Sequence, residues 1–525
     1  MAVRKRVATN DPQRGKASKK VERANNHPGP REIELKLAYD PAAAQGLLDS
    51  PVLKEAKPAP EAGGPLHAIY FDTKDGSLRK AGLSVRVRRQ GERWVQTIKA
   101  ETAGRGLVLD RSEWETPVEG PALDFAAAKG TALGDLLKEK DLKRRIKPAF
   151  EVRTERQALL VKRDGAAIEA VVDRATIEAR DRSVTFGEVE LELKAGEPPA
   201  LFKLALDLVE SAPLRLSLAT KAERGYALVE RETPKAFKAE RIDLPSGLST
   251  GEAFQAIARS CLTQALRNEA LVRATQDSSA LHQLRVGLRR LRAATSLFKD
   301  LLDDAESDGI RAGLRTISHD LGTVRDLDVL VERLAKADDP EQAGVLAEAE
   351  ERRQAAYRAM MADLDGPRYR RAILATAAWI EAGDWLTSDD PETREVREQP
   401  IEERATGELA KRWKRVLKRA KRLAELDPEA RHRVRIEIKK LRYGAEFFQG
   451  LYPGQRSKTR RKDALEALQR LQELLGELND IAVGGGLLGA EAEEGRRDED
   501  PRVADLIARA QKDYRRLSAV KPFWE

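Results

Sequence analysis

A single cysteine, Cys261, stands in 525 residues, so no disulfide can form within the chain and a reducing, cytoplasmic setting is expected. No apolar run approaches the roughly 20 residues that a membrane-spanning helix needs. Basic residues crowd the start (Arg4, Lys5, Arg6, Lys16, Lys19, Lys20), but no apolar segment follows. That argues against a secretion signal, and 1–29 reads as a disordered basic tail. Aromatic residues make up 5% of the chain and hardly interleave with its cations. Stacking platforms for bases are therefore lacking, and nucleic acid is not an expected partner. The net charge of +8, from 95 basic and 87 acidic residues, is modest for this length, so where the charges fall matters more than their sum.

They fall first in alternation. Glu32, Glu34 and Lys36 are interleaved with Ile33, Leu35 and Leu37, the pattern of a strand with one charged and one apolar face. The same spacing of two returns at Arg86 and Arg88, at Glu113 and Glu115, and at Glu188, Glu190 and Glu192. A solvated sheet face mixes its charges with Thr, Ser and Gln. Several strands that each present charge on one face point to a closed antiparallel barrel with a charged interior. Gly91, Gly104, Gly106 and Asp164-Gly165 fall between the alternating runs, as hairpin turns require. Pro41 to Leu48 and Pro199 to Ser211 read as helices covering the outside.

The text changes between 232 and 250, where periodicity is lost and a linker is expected. From Gly251 onward apolar residues recur at helical spacing. Breaks near Asp303–Asp308, Asp338–Pro340, Asp365–Pro367, Pro391, Asp427–Pro428 and Tyr452–Gly454 imply helices of roughly 15–25 residues in an all-α bundle. The expected organisation is thus a tail at 1–29, a barrel domain at 30–231, a linker at 232–250 and a helical domain at 251–525.

The helical part repeats itself. His282-Gln-Leu-Arg285-Val-Gly-Leu-Arg289-Arg290-Leu291-Arg292 resembles His432-Arg-Val-Arg435-Ile-Glu-Ile-Lys439-Lys440-Leu441-Arg442. A duplicated bundle about a pseudo-twofold axis is expected. In each copy the histidine and three cations (His282, Arg285, Arg289, Arg292; His432, Arg435, Lys439, Arg442) lie on one helix face. Each stripe spans about 15 Å. No acid lies between His282 and Lys299, so an extended anionic partner is expected along it. Lys411 to Arg422 holds eight cations in twelve residues and is either a second anion track or a helix whose acids come from its neighbours.

Across about 30–230 the motifs Glu32-x-Glu34-x-Lys36, Tyr70-Phe71-Asp72-Thr73, Arg86-x-Arg88, Glu113-x-Glu115, Glu188-x-Glu190-x-Glu192 and Ser217–Tyr226 resemble, in this order, the CYTH family of triphosphate tunnel metalloenzymes. The resemblance implies hydrolysis of inorganic triphosphate to pyrophosphate and phosphate. It implies Mg²⁺ or Mn²⁺ as cofactor, held by Glu32, Glu34, Glu188, Glu190 and Glu192, with Glu32, Glu34 and Lys36 at the catalytic centre. Lys36, Arg86, Arg88, Lys99, Arg153, Lys221 and Arg224 would hold the phosphates, and Glu113, Glu115 and Asp173 would pair with those cations or hold a second metal. The paired His-x-x-Arg helices resemble the CHAD family over about 255–520, which implies polyphosphate binding and a place at polyphosphate granules. A polyphosphate-binding protein without turnover, and an enzyme acting on ATP or thiamine triphosphate, are the other readings. Sequence leaves the oligomeric state open.

Overall fold

The computed structural model describes residues 31–100, 106–107, 109–230, 234–337, 342–483 and 501–525. The expected tail at 1–29, the turn at Gly104, the break at Asp338–Pro340 and the first positions of the expected linker lie outside the described residues. Eight strands form a ring: β1 (Arg31–Tyr39), β2 (Gly64–Asp72), β3 (Leu83–Gln90), β4 (Arg93–Ala100), β5 (Leu109–Val118), β6 (Lys147–Arg163), β7 (Ala166–Ala179) and β8 (Arg182–Ala195). Hydrogen bonding runs β1-β5-β4-β3-β2-β6-β7-β8, and β8 pairs again with β1, so the antiparallel barrel closes on itself and leaves no free edge. Asp164 and Gly165, at φ of 50° and 76°, make the tight β6–β7 turn in the left-handed conformation that such a hairpin requires.

Alternation inverts the usual barrel. On β3, Val85 and Val87 are fully buried on the outer face, where they pack with Ile98, Leu133 and Leu142, while Arg86 and Arg88 point inward. The apolar exterior is covered from outside: the segment carrying Ala132–Leu136 and Leu142–Arg145 lies over β3 and β4, and α1 (Pro199–Ser211) over β1 and β8. A second helix, α2 (Lys221–Glu230), packs on β6 and β7 and brings Lys221 to the interior. Its Gly225 lies against the ring of Phe150.

From Thr250 on, the described residues are helical: α3 (Thr250–Thr275), α4 (Ser278–Leu297), α5 (Ala305–Ala337), α6 (Ala343–Asp365), α7 (Pro367–Ala382), α8 (Pro391–Glu398), α9 (Ile401–Ala420), α10 (Pro428–Phe447), α11 (Gln455–Val483) and α12 (Pro501–Ala519). Asp390 and Asp427 cap α8 and α10, each followed by a proline that suits the first helical turn. Two helices exceed the expected length. α5 runs 33 residues and α11 runs 29, because neither contains a proline and the glycines inside them do not stop a helix packed on its neighbours. The histidine helices α4 and α10 both span 20 residues, end in a 3₁₀ turn (Lys299–Leu301 and Phe448–Leu451) and lead into α5 and α11.

The chain forms two compact units. The first joins the barrel and its helices (to Phe237) with Leu266–Leu284 and His319–Ala382; α7 packs on α1 there. The second holds Lys238–Ala265, Arg285–Ser318 and Gly383–Glu525, with α10 packed on both α9 and α11 and α12 packed on α11. Cys261 is fully buried in α3, and burial pushes its thiol up to about 11.

A methyl group at Gly225 would lie 2.1 Å from the Phe150 ring. Gly225→Ala is therefore expected to destabilise the first unit by about 1–3 kcal/mol, the usual cost of overpacking, measured as a fall in the urea midpoint without a change in slope.

Candidate active site inside the barrel

The barrel holds a cavity of about 480 Å³ whose wall is mostly charged. β1 contributes Glu32, Glu34 and Lys36; β3 gives Arg86 and Arg88; β4 gives Lys99; β5 gives Arg111, Glu113 and Glu115. β6 gives Arg156, β7 gives Glu169, β8 gives Glu190, Glu192 and Lys194, and α2 gives Lys221. Cross-strand register explains the neighbours: Lys36 faces Glu190, Glu34 faces Glu192, and Glu192 faces Glu169 on its other side.

At one part of the wall the charges satisfy each other. Lys221 Nζ lies 2.6 Å from Glu188, 2.9 Å from Glu190 and 2.9 Å from Asp173. Lys36 donates to Glu190 and lies 3.6 Å from Glu188 and 3.4 Å from Glu34. Arg156 grips Asp173 with two parallel bonds of 2.8 and 2.6 Å and reaches Glu190 at 3.0 Å. Burial acts to raise both Glu188 and Glu190. Lys221, Lys36 and Arg156 overcome it at Glu190, which falls well below the ordinary carboxylate range, while Glu188, beside that charge, stays raised. Burial likewise acts against charge on Lys221, yet Asp173, Glu188 and Glu190 hold it well above the usual lysine value. Nearer the start of β1, Lys99 binds Glu32 at 2.7 Å and Glu113 at 3.0 Å, and Arg111 binds Glu32 and Glu34.

Another part of the wall is satisfied only in part, where Arg88 reaches Glu115 at 3.5 Å. Arg86 and Arg88 stand two residues apart on one face of β3, and the Nε–H of each is buried without a hydrogen-bond partner. The charge of Arg86, together with burial, lowers Arg88 to about 10. Both guanidiniums remain charged at neutral pH. Two desolvated, mutually repelling cations with unused donors are what an oxyanion would relieve.

The expected divalent cation can be tested against the carboxylates. Among the described residues no three carboxylate, imidazole or thiol side chains are gathered as a ready cage. Glu34, Glu192 and Glu169 nevertheless stand side by side on three strands, and like charges directly opposite destabilise a sheet. Burial and then the neighbouring Glu32 and Glu169 raise the Glu192 carboxyl, with Lys194 acting the other way. Crowded carboxylates around a wet cavity fit an ion that keeps several of its waters.

The structure brings together most of the site residues expected from sequence and sets others apart. Arg153 is 57% exposed and pairs with Glu178 at 3.3 Å on the outer face of β6. The inward-facing cation of that strand is Arg156, three residues on, because side chains alternate. Arg224 lies off the cavity wall, over the Phe186 ring and 3.4 Å from Ser217 Oγ. Glu188 is wholly buried behind Lys36 and Lys221. Sequence reasoning missed Arg111, Arg156, Glu169 and Lys194. Arg111 continues the alternation of Glu113 and Glu115, and Lys194 that of Glu192, so both were within reach of the same spacing rule.

In the helical region the stripes also serve packing. Arg290 is buried, donates to Gln264 at 2.7 Å and lies over Phe447. Arg289 donates to the Tyr443 hydroxyl at 2.8 Å, His282 and Arg285 are half-buried, and Arg292 is exposed. On α10, His432 pairs with Asn479 at 2.7 Å, and Arg442 binds Gln472 at 3.1 Å and Glu446 at 2.6 Å. Arg435 borders Gly476, and Lys439 is half-buried. The Lys411–Arg422 segment borrows acid from its neighbour: Arg415 and Arg419 both reach Glu437 of α10, at 3.4 and 3.6 Å. Arg412 turns inward and donates to the Ser296 carbonyl at 2.9 Å.

Comparison with known proteins places these two regions. Residues 30–226 match the family model of the CYTH domain and residues 256–489 that of the CHAD domain. An inorganic triphosphatase of Haemophilus influenzae is 28% identical over 211 residues, which are 38% of this chain and 56% of that protein. The match thus spans about half of that relative's length. Among solved structures, the CHAD domain from the plant Ricinus communis is 30% identical with a TM-score of 0.44, covering 55% of this chain and 93% of that one. A putative adenylyl cyclase from Hippeastrum with a dominant triphosphatase activity is 19% identical with a TM-score of 0.30, covering 39% and 98%.

Arg156 and Arg153 make a controlled pair for mutation. Arg156→Ala leaves the fully buried Asp173 with Lys221 alone and is expected to cost about 3–5 kcal/mol. Arg153→Ala removes an exposed ion pair and should stay within about 1 kcal/mol of the parent. Denaturant unfolding of the two variants checks this, and equal losses would contradict the assigned faces of β6.

Proposed function

The chain belongs to the CYTH family over residues 30–226 and to the CHAD family over residues 256–489, and we propose that its barrel hydrolyses inorganic triphosphate while its helical region binds polyphosphate. The observation that carries the first part is the Arg86–Arg88 pair, whose unused buried donors face a closed, charged cavity. A triphosphate is a row of oxyanions with no base or sugar to grip, and this wall offers no stacking surface beyond Tyr70. ATP and thiamine triphosphate would each bring an organic group into a wall of charge, at a desolvation cost that nothing there offsets.

Glu32, Glu34, Glu169 and Glu192 are the residues that would hold a divalent cation, Mg²⁺ or Mn²⁺. When bound, it would neutralise phosphate oxygens and orient a water for in-line attack. Arg86 and Arg88 bind the oxyanions and take up charge as it develops at the transferred phosphoryl group. Lys36, Lys99 and Lys221 sit among carboxylates that a phosphate chain would compete with, so they shift from internal pairs to substrate with little change in desolvation.

A phosphate-release assay over tripolyphosphate, ATP, thiamine triphosphate and long-chain polyphosphate tests the reading, and tripolyphosphate with Mg²⁺ should be the preferred substrate. Binding without release would instead support a pure binding protein. Arg86→Ala and Arg88→Ala should each lower kcat/KM by about 10²–10³-fold, the scale of one lost oxyanion donor. Arg88→Lys should recover only part, since a point charge replaces a bidentate fork.

The helical region is tested in the full chain. Neutralising Arg285, Arg289, Arg435 and Lys439 together should abolish binding of long-chain polyphosphate, while tripolyphosphate hydrolysis persists. Wild-type binding itself should weaken steeply as salt rises. Unchanged binding in the quadruple variant would shift the assignment to the Lys411–Arg422 segment.

A further inference from the structure

Tyr70 is buried, lines the cavity, and takes part in none of the ion pairs described above. It faces Arg86 across the β2–β3 register, so phenol and guanidinium are neighbours on the cavity wall, and the Arg86 charge acts to lower the phenol. Arginine has only donors, so in a bond between the two the phenol oxygen accepts and its O–H proton is left to donate elsewhere. The ring is held from behind. It stacks on Phe150 at 4.6 Å and 15°, and Phe150 meets Tyr226 of α2 edge-on at 5.2 Å. Gly225 lets α2 approach that closely.

We propose that Tyr70 is a positioning residue: it fixes the Arg86 guanidinium against the cavity wall and turns its own O–H toward the phosphate oxygen that Arg86 receives. The assignment rests on the reading of the cavity as a triphosphate site. Three rings in a row leave the phenol little freedom, so its oxygen is a fixed anchor for a side chain that otherwise has several rotatable bonds. Arg86 needs such an anchor because Arg88 repels it from two residues away. Burial acts to raise the Tyr70 phenol, but Arg86 and then the more distant cations outweigh it and hold it below the usual tyrosine value.

Tyr70→Phe keeps the stacked ring and removes only the hydroxyl. Calorimetric titration of the full chain with tripolyphosphate should show affinity reduced about tenfold, the scale of one charge-assisted hydrogen bond. The thermal midpoint should be unchanged, and kcat should fall along with the rise in KM. In the Arg86→Lys background the same substitution should add little, because the two residues act as one unit. A merely structural tyrosine would lower the midpoint and leave affinity alone, and that result would overturn the proposal. So would full additivity with Arg86→Lys. A second readout needs no ligand. The ultraviolet phenolate titration of wild type minus Tyr70→Phe isolates one phenol, and Arg86→Ala should move that phenol upward; no movement overturns the pairing. If wild type binds no tripolyphosphate at all, the functional reading fails, and the phenolate titration still decides whether Tyr70 and Arg86 are paired.

Discussion

Charge enclosed by a sheet has to be neutralised by other enclosed charge, and the barrel follows from that constraint. Glu188 and Asp173 have no exposed surface, and Lys36 and Glu34 have almost none. Left unpaired, any of them would cost several kcal/mol. The register answers this by setting Lys36 against Glu190 and by bringing Arg156 and Lys221 to Asp173. The inverted polarity then governs the outside. With charge inside, the apolar residues of β1 and β3 must point outward, so covering helices are needed where an ordinary small barrel would meet water.

The same constraint separates the wall into two kinds of surface. Where acids and bases match, the groups hold the barrel closed. Elsewhere like charges crowd, Arg86 with Arg88 on one side and Glu34, Glu169 and Glu192 on another; Glu115, Arg111 and Lys194 offset them only in part, and the Nε donors of both arginines stay unused. A ligand that is itself both anion and metal chelate would relieve both crowded groups together. Function is therefore read from where neutralisation is incomplete.

Alternation made much of this legible beforehand. The inward faces of β1, β3 and β8 could be read from Glu32 to Lys36, Arg86 to Arg88 and Glu188 to Glu192, because an unbroken apolar partner face accompanies each. β6 defeats the rule. Its outward face carries Glu151, Arg153 and Glu155, and its inward face Val152, Thr154 and Arg156, so both sides hold charge and parity alone cannot choose. Arg224 fails for another reason: it lies on a helix, whose first turn brings Lys221 and Ala222 to the cavity and leaves Arg224 off its wall. In the helical region the repeat was visible, but the compact units were not. Leu266–Leu284 and His319–Ala382 join the barrel unit through contacts such as Arg371 with Glu210 and Arg215 with Asp365, which leave no local signature in sequence.

Ring closure by β1 and β8 also fixes an order of events as the chain is made. Lys36 and Glu190 are 154 positions apart, so the first strand is synthesised long before the partner that neutralises it. Until β8 emerges, Glu32, Glu34 and Lys36 have to remain in water, and the barrel stays open. Closing the ring and pairing its enclosed charges are then one late step, dominated by a contact of very long sequence separation, which is slow by topology. During that interval β1 and β8 lack their covering helix, α1, which follows β8 directly, and β6 and β7 lack α2, which comes later still. The nascent barrel is most exposed to misassembly in the time taken to translate from β1 to the end of α2, and a chaperone that shields strand edges would act in that window.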